Sequence, residues 1–352
     1  MSAERTRKRD YLRPLDMRRG RVEMAHGGGG RAMSQLIDEL FREAFDHPAL
    51  QQGDDCAVLD APGGRLVMAT DSHVVSPLFF PGGDIGSLAV HGTINDVVTS
   101  GARPLWLSAG FVLEEGFALA DLKRIVESMA AAARDAGVGI VTGDTKVVER
   151  GHGDGVFINT TGVGVLEEGL HLSGSLARPG DAILVNGYMG DHGVAIMASR
   201  ENLEFSTSIR SDSAALHDLV ATMTSAVPDI HCLRDPTRGG LAATLNEIAR
   251  QAGVGMAIRE ADIPVREEVD AACELLGLDP LYVANEGKVV AICPADSAPL
   301  LLRAMHSNPL GRDAAIIGEV VEDPHGFVEM ETAFGGRRKV DWIAGEQLPR
   351  IC

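Results

Sequence analysis

The chain has 352 residues, a formal net charge of −18, 45% hydrophobic and 23% charged residues. That acidity repels a nucleic-acid backbone or an anionic membrane surface, so neither is expected as a partner, and no uncharged apolar run reaches bilayer-spanning length. At roughly 150 residues per domain two domains are expected, and 41 glycines with only 4% aromatics suggest a soluble α+β protein rich in tight turns.

Cys56, Cys232, Cys273, Cys293 and Cys352 are scattered and never form a C-x-x-C pair. They are therefore expected to be reduced, in a cytoplasmic protein without a disulfide framework or zinc site. Four sit among apolar neighbours and read as buried, whereas Cys352 lies in a polar, exposed context.

In chain order, residues 1–23 are rich in arginine but lack the apolar stretch of a secretory signal, and read as a disordered basic arm. His26-Gly27-Gly28-Gly29-Gly30 then runs into a helix from Ser34, as its cap, to Phe45, a layout that can wrap N–H groups around phosphate or serve only as a linker. Short strands are expected at 56–59 and 66–70, a helix at 85–100, a strand at 105–113 and a helix from Leu122 closed by Gly137. Strands at 138–142 and 155–166 bracket an expected turn, Gly143-Asp144-Thr145-Lys146. The N-terminal domain is placed at 24–168.

The C-terminal domain, 169–344, is read with strands at 182–186, 254–259, 289–293 and 313–321 and helices at 212–226, 241–252, 266–276 and 296–306. Helices interleaved with sheet fit a two-domain α+β architecture. The last segment, 345–352, reads as a mobile tail: Gly345 gives a hinge, Pro349 cannot continue a helix, and full extension reaches roughly 23 Å at about 3.3 Å per residue. It ends on the Cys352 thiol, whose neighbouring α-carboxylate is expected to raise its pKa.

Acids recur at element ends: Asp54, Asp55, Asp71, Asp96 and Asp144. Singly each reads as a cap or turn residue. Converging carboxylates instead call for a cation, and Mg2+ shared with the phosphates of ATP would satisfy them. Lys146 and Glu286 lie in expected loops at strand ends, where catalytic groups are often carried, though either alone reads as a surface ion-pair partner. Arg234, Arg238 and the helix start after Gly239-Gly240 offer a place for an anion.

Taken together, His26-Gly27-Gly28-Gly29-Gly30, Gly53-Asp54-Asp55, Thr70-Asp71-Ser72, the run from Pro77 to Gly83, Asn95-Asp96, Gly143-Asp144-Thr145-Lys146, Asn285-Glu286-Gly287-Lys288 and Pro349-Arg350-Ile351-Cys352 resemble the HypE family of hydrogenase-maturation proteins. Most of these motifs belong to the wider aminoimidazole-ribonucleotide synthetase (PurM-like) superfamily, and the Pro-Arg-Ile-Cys ending is specific to the family. The resemblance covers His26 to the last residue.

It implies an α+β, two-domain PurM-like ATP-binding fold with a C-terminal α/β sandwich, a flexible tail, and a homodimer whose N-terminal sheets meet in a barrel-like interface. It further implies that Cys352 accepts a carbamoyl group from the carbamoyltransferase HypF. ATP then dehydrates the carbamoyl to a thiocyanate, and the cyanide passes through a HypC–HypD complex to the iron of [NiFe]-hydrogenase. On this reading Gly28, Gly29, Asp54, Asp55, Asp71, Asn95, Asp96 and Asp144 bind the nucleotide, with Asp55, Asp71 and Asp96 on magnesium. Cys352, Glu286 and Lys146 do the chemistry, Glu286 as the base at the amide nitrogen and Lys146 holding it ionised or relaying the proton. Two alternatives stay open: a superfamily enzyme acting on a diffusible substrate, and an ATP-gated scaffold without catalysis.

Overall fold

The computed structural model describes residues 13–28, 30–52, 56–60, 62–166, 169–200, 209–342 and 350–352. The N-terminal half is built from β1 (Arg65–His73), α1 (Ile85–Val98), β2 (Arg103–Glu114), α2 (Leu119–Asp135), β3 (Gly139–Val148) and β4 (Val156–Leu166). Its sheet runs β1-β4-β2-β3, with β2 and β3 parallel and the other pairs antiparallel.

Alternation decides its two faces. One face packs under α1 and α2, whose Leu88, Ile94, Leu122, Ile125 and Met129 are fully buried. On the other, Leu66, Met68 and Val112 remain 63%, 73% and 38% exposed. The sheet is open, with β1 and β3 as edges, and among the described residues no closed barrel forms.

The C-terminal half comprises β5 (Asp181–Val185), α3 (Asp191–Arg200), α4 (His217–Ala226), β6 (Cys232–Arg234), α5 (Gly240–Ala252), β7 (Gly255–Arg259), α6 (Glu267–Leu276), β8 (Val290–Pro294), α7 (Ala298–His306), β9 (Ala315–Val321), β10 (Val328–Glu331) and β11 (Arg337–Lys339). The sheet order is β11-β10-β7-β9-β5-β8-β6.

Its central strands read Ala-Ile-Leu-Val and Val-Ala-Ile-Cys because both faces are covered. Ile183, Val185, Val290 and Ile292 pack with α5, while Leu184, Ala291 and Cys293 share a core with α4, α7 and the N-terminal helices. One hydrophobic core therefore crosses between the halves. Among the described residues no helix is long and apolar enough to cross a membrane.

Several expectations are corrected. Residues 56–60 form no strand, whereas β1 runs on to His73 and carries Asp71 within it. Gly143–Lys146 is not a turn: parallel pairing with β2 carries the strand through to Val148, and a Cβ at Gly143 would stand 2.2 Å from the Ala109 carbonyl oxygen. Ser34 sits inside a helix that begins at Arg31 after Gly30. The helix expected from 212 starts at His217, because 209–216 is held out of helix by tertiary hydrogen bonds, and β6, β10 and β11 are not expected from the sequence.

Of the expected basic arm, the described part, 13–23, packs on the fold. Val22 is buried and donates its N–H to the Phe117 carbonyl, while the Leu15 N–H meets Glu39. Cys56 is exposed and Cys352 partly buried, the reverse of their expected environments. The helix C-caps Gly137 and Gly253 do take left-handed conformations before strands. Gly29, Asp54, Asp55, the boundary at 168 and the tail hinge at Gly345 lie outside the described residues.

Candidate active site

The last three residues lie against the continuation of β1. Val74 N–H donates to a Cys352 carboxylate oxygen (3.0 Å) and Ser76 N–H to the Arg350 carbonyl (3.1 Å), the alternation of an antiparallel pair. From α3, His192 Nε2 meets the Ile351 carbonyl at 2.8 Å, and the Arg200 guanidinium donates to the carbonyls of Arg350 and Ser76 at 2.9 and 2.7 Å. The Ile351 side chain is 3% exposed.

This docking brings the Cys352 thiol beside the Glu286 carboxyl. Burial first, then Glu286, hold the thiol well above its usual pKa, with Arg238 opposing. These outweigh the neighbouring carboxylate invoked from sequence.

Glu286 sits in the loop before β8 and is 3% exposed. Its backbone is fixed on both sides: the N–H donates to Asp212 Oδ1 (3.0 Å), and the carbonyl accepts from Asn95 Nδ2 (3.2 Å). Its Oε1 is buried without a hydrogen-bond partner. The absence of a side chain at Gly92 on α1 opens the meeting point, since a Cβ there would lie 3.1 Å from His73 Cε1, 3.5 Å from Asp71 Oδ2 and 3.9 Å from Glu286 Oε2.

Carboxyls crowd this spot. Burial, then Asp212, Asp235, Asp71 and Asp96, raise the Glu286 pKa well above the ordinary range. Burial, then Asp235 and Asp71, push Asp96 up to about 7, and burial raises Asp235 to about 6. Burial also pushes Asp212 up, but Lys288 at 2.9 Å and His192 outweigh it and leave this carboxyl below its usual value.

The structure thus brings together Asp71, Asp96, Glu286 and Cys352 of the expected residues. It adds Asp212, Asp235, His192 and Arg200, and it sets Arg238 beside them. Asp212 lies in an irregular stretch with no periodic signal, and nothing in the spacing links it to Glu286. Among the described residues no group of three acids, histidines or cysteines is close enough to enclose a metal ion unaided. The unpartnered Glu286 oxygen and the raised carboxyls are nonetheless what a cation would relieve, so the donor set suits Mg2+ delivered with phosphate oxygens.

The remaining expected residues stand elsewhere. Both Asn95 amide hydrogens and its oxygen are committed to the Ala214 and Glu286 carbonyls and the Leu216 N–H, so Asn95 ties α1 to the C-terminal half. Gly28 follows a turn, Met24–Gly27, that packs on β3; a Cβ at Gly27 would stand 2.5 Å from Val147 N.

Asp144 and Lys146 pair with each other at 2.8 Å on the open sheet face, about 60% exposed. Lys146 registers with Val112, which registers with Phe157, so it lies three strands from β1, about 14 Å at ~4.8 Å per strand. A lysine stem extends only roughly 6 Å. Within one chain Lys146 and Glu286 therefore do not form the expected pair. On the covered face beside β3, a cavity of about 410 Å3 is lined by Phe41, Phe45, Leu50, Phe111 and Gly143–Thr145.

Comparison with known proteins places this geometry. The AIR synthase related protein N-terminal domain matches residues 53–166 and its C-terminal domain residues 178–331. The carbamoyl dehydratase HypE of Azotobacter vinelandii is 70% identical over 338 residues, covering 96% of this chain and 99% of that one. A crystal structure of the hydrogenase maturation protein HypE in complex with ATP superposes with a TM-score of 0.91 at 53% identity, over 94% of this chain and 99% of the other. A HypE–HypF complex aligns at TM-score 0.77 and 50% identity, over 88% and 99% of the two chains.

Proposed function

This chain belongs to the carbamoyl dehydratase HypE family, and from that premise we propose how its own residues carry out the ATP-dependent dehydration of a carbamoyl group in hydrogenase maturation. The carbamoyl is carried on the Cys352 sulfur. The observation that supports this is the docked chain end, which sets that sulfur beside a buried, unsolvated Glu286.

Dehydration converts S–C(=O)–NH2 to S–C≡N, and ATP provides the phosphoryl group that makes the amide oxygen a leaving group. The C–O bond then breaks to release phosphate, the nitrogen lone pairs complete the triple bond, and both N–H protons must depart. Glu286 takes the first, and the second leaves with the departing phosphate. The raised pKa of Glu286 makes it a stronger base than an exposed carboxylate once ionised, and burial keeps water from attacking the carbamoyl carbon.

Asp71 and Asp96 would hold Mg2+, with Asp55 as a further ligand from outside the described residues. Bound there, the ion neutralises phosphate charge and lets the crowded carboxyls ionise. Arg238, exposed at the edge of the cluster, faces the departing phosphate. The deciding experiment is mass spectrometry of Cys352 after incubation with the carbamoyl donor and ATP. Modification that survives Cys352→Ser overturns the reading.

The nucleoside is assigned to the cavity beside β3, and Lys146 is assigned to the site of a second copy. Two features support this dimer: apolar side chains exposed on the open sheet face, and unpaired edges at β1 and β3. A two-fold axis along a barrel of two such sheets sets β3 of one protomer beside β1 of its partner. Lys146 would then reach the partner's acid cluster, which it cannot reach in its own chain. HypF would meet the outward tail as carbamoyl donor, and a HypC–HypD pair would accept the cyanide from it.

A further inference from the structure

A base must keep an oxygen free for the incoming proton, and Glu286 Oε1 is buried without a partner. Where that carboxyl stands is therefore decided by the backbone beneath it, which two anchors hold: Asn95 on the Glu286 carbonyl and Asp212 on its N–H. Asn95 is neutral, whereas Asp212 brings a charge. Among the described residues its second oxygen, Oδ2, is met only by the Lys288 ammonium, at 2.9 Å.

One carboxylate thus grips both ends of a three-residue loop, taking the Glu286 N–H on Oδ1 and the Lys288 side chain on Oδ2. Asp212 is itself held from the N-terminal half, since its neighbour Ser211 donates its N–H to the Pro81 carbonyl at 2.8 Å and Leu216 donates to Asn95 Oδ1 at 2.9 Å. The pair is buried, with side chains 3% and 12% exposed. Burial favours a neutral carboxyl, but Lys288 and then His192 reverse this and leave Asp212 below its usual pKa, so its bond to the Glu286 N–H is charge-assisted. Lys288 lines a cavity of about 530 Å3 together with Tyr188, Asp191, Arg210, Arg266 and Arg312. There Arg266 pairs with Asp191 at 3.1 Å, which leaves Lys288 to Asp212. This cavity shares no lining residue with the one beside β3.

We propose that Asp212 and Lys288 are positioning residues of the dehydration, a buried charge clamp that holds the Glu286 carboxyl where it can take the amide proton. This deepens the dehydratase reading, on which it rests. Lys288 touches neither nucleotide nor carbamoyl group and acts only through Asp212, whose charge it balances. Without that balance Asp212 is a buried, unpaired carboxylate, which either takes up a proton or draws its loop toward water. Both loosen the grip on the Glu286 N–H.

The test follows the full-length chain, carbamoylated on Cys352 by its donor, through one turnover with Mg-ATP by intact mass. Lys288→Met keeps the stem and removes the charge. It should slow the loss of water about a hundredfold, the scale of a 1 Å displacement of a catalytic group, while ATP affinity in calorimetry stays within about twofold. Lys288→Arg should return the rate to within about tenfold of wild type. Asp212→Asn combined with Lys288→Met removes both charges yet leaves an acceptor for the Glu286 N–H, so this paired variant should also stay within about tenfold of wild type. It buries no unpaired charge, so it is expected to fold even where the single variant does not. A packing role predicts the reverse, a harmless Lys288→Met and additive losses in the pair. Glu286→Gln, run alongside, separates the two levels. Turnover by that variant overturns the base assignment on which the clamp rests, whereas a stalled Glu286→Gln beside Lys288→Met at the wild-type rate overturns the clamp alone. A paired variant slowed about a hundredfold overturns it as well.

Discussion

As the proposed base, Glu286 would carry two demands on one side chain: burial makes it a stronger base, yet burial also favours its protonated form until a cation arrives. Glu286→Gln is nearly isosteric and should fold, bind ATP and accept the carbamoyl group, then stop before thiocyanate. Intact mass should show the carbamoylated chain persisting without the loss of one water. Asp96 tests the cation side. Its pKa near 7 lies above the unfolded value, so the folded state binds the extra proton and its stabilising contribution is lost as pH rises toward 7. Thermal midpoints should therefore fall between about pH 4 and pH 7, and Asp96→Asn should flatten that decline. Mg-ATP should restore the midpoint at the alkaline end and release protons on binding, readable as buffer-dependent heat in calorimetry. Buffer-independent heat would remove Asp96 from the cation site.

At the scale of elements, the site is a junction of α1, the end of β1, the 209–216 stretch and the loop before β8. Asn95 and Asp212 stitch these together through backbone groups, which is why side chains far apart in sequence hold one geometry. Gly287 is the tightest point. A Cβ there would stand 1.9 Å from the Asp212 carbonyl oxygen, and rigid backbone cannot yield as a side-chain tip would. Gly287→Ala should destabilise the protein by about 2–3 kcal/mol in denaturant unfolding. It should also impair dehydration by displacing Glu286 from the thiol. Unfolding and turnover unchanged from wild type would show that the loop has freedom the packing denies.

At the scale of the whole molecule, the assignment of Lys146 to a partner's site makes activity a property of two chains. Lys146→Ala and Glu286→Gln should each be inactive alone. Mixed and allowed to exchange subunits, they should regain up to about a quarter of wild-type turnover, since half the dimers are mixed and each of those has one intact site. Failure to complement, with exchange verified by mass, would return Lys146 to a surface role beside Asp144. Met68→Arg, on the open sheet face, should give monomers in sedimentation and lose dehydration together with dimerisation.

Local patterns in the sequence were sufficient for the two-domain α+β order, the helices under the N-terminal sheet and the glycine caps at Gly137 and Gly253, because each depends on neighbours within a few residues. The terminal Pro-Arg-Ile-Cys marked Cys352, the recurring acids marked Asp71 and Asp96, and the expected loop before a strand, with the family resemblance, marked Glu286. What the sequence could not supply was distance. Gly143–Lys146 reads as a turn until pairing with β2 makes it a strand and moves Lys146 away from Glu286. His192 and Arg200 carry no signal of their own, since they act on backbone carbonyls more than 120 residues away. Residue type and spacing name the groups able to react, whereas only the packing of α1, α3 and the loop before β8 decides which of them meet, because burial and mutual charge exist only once those elements touch.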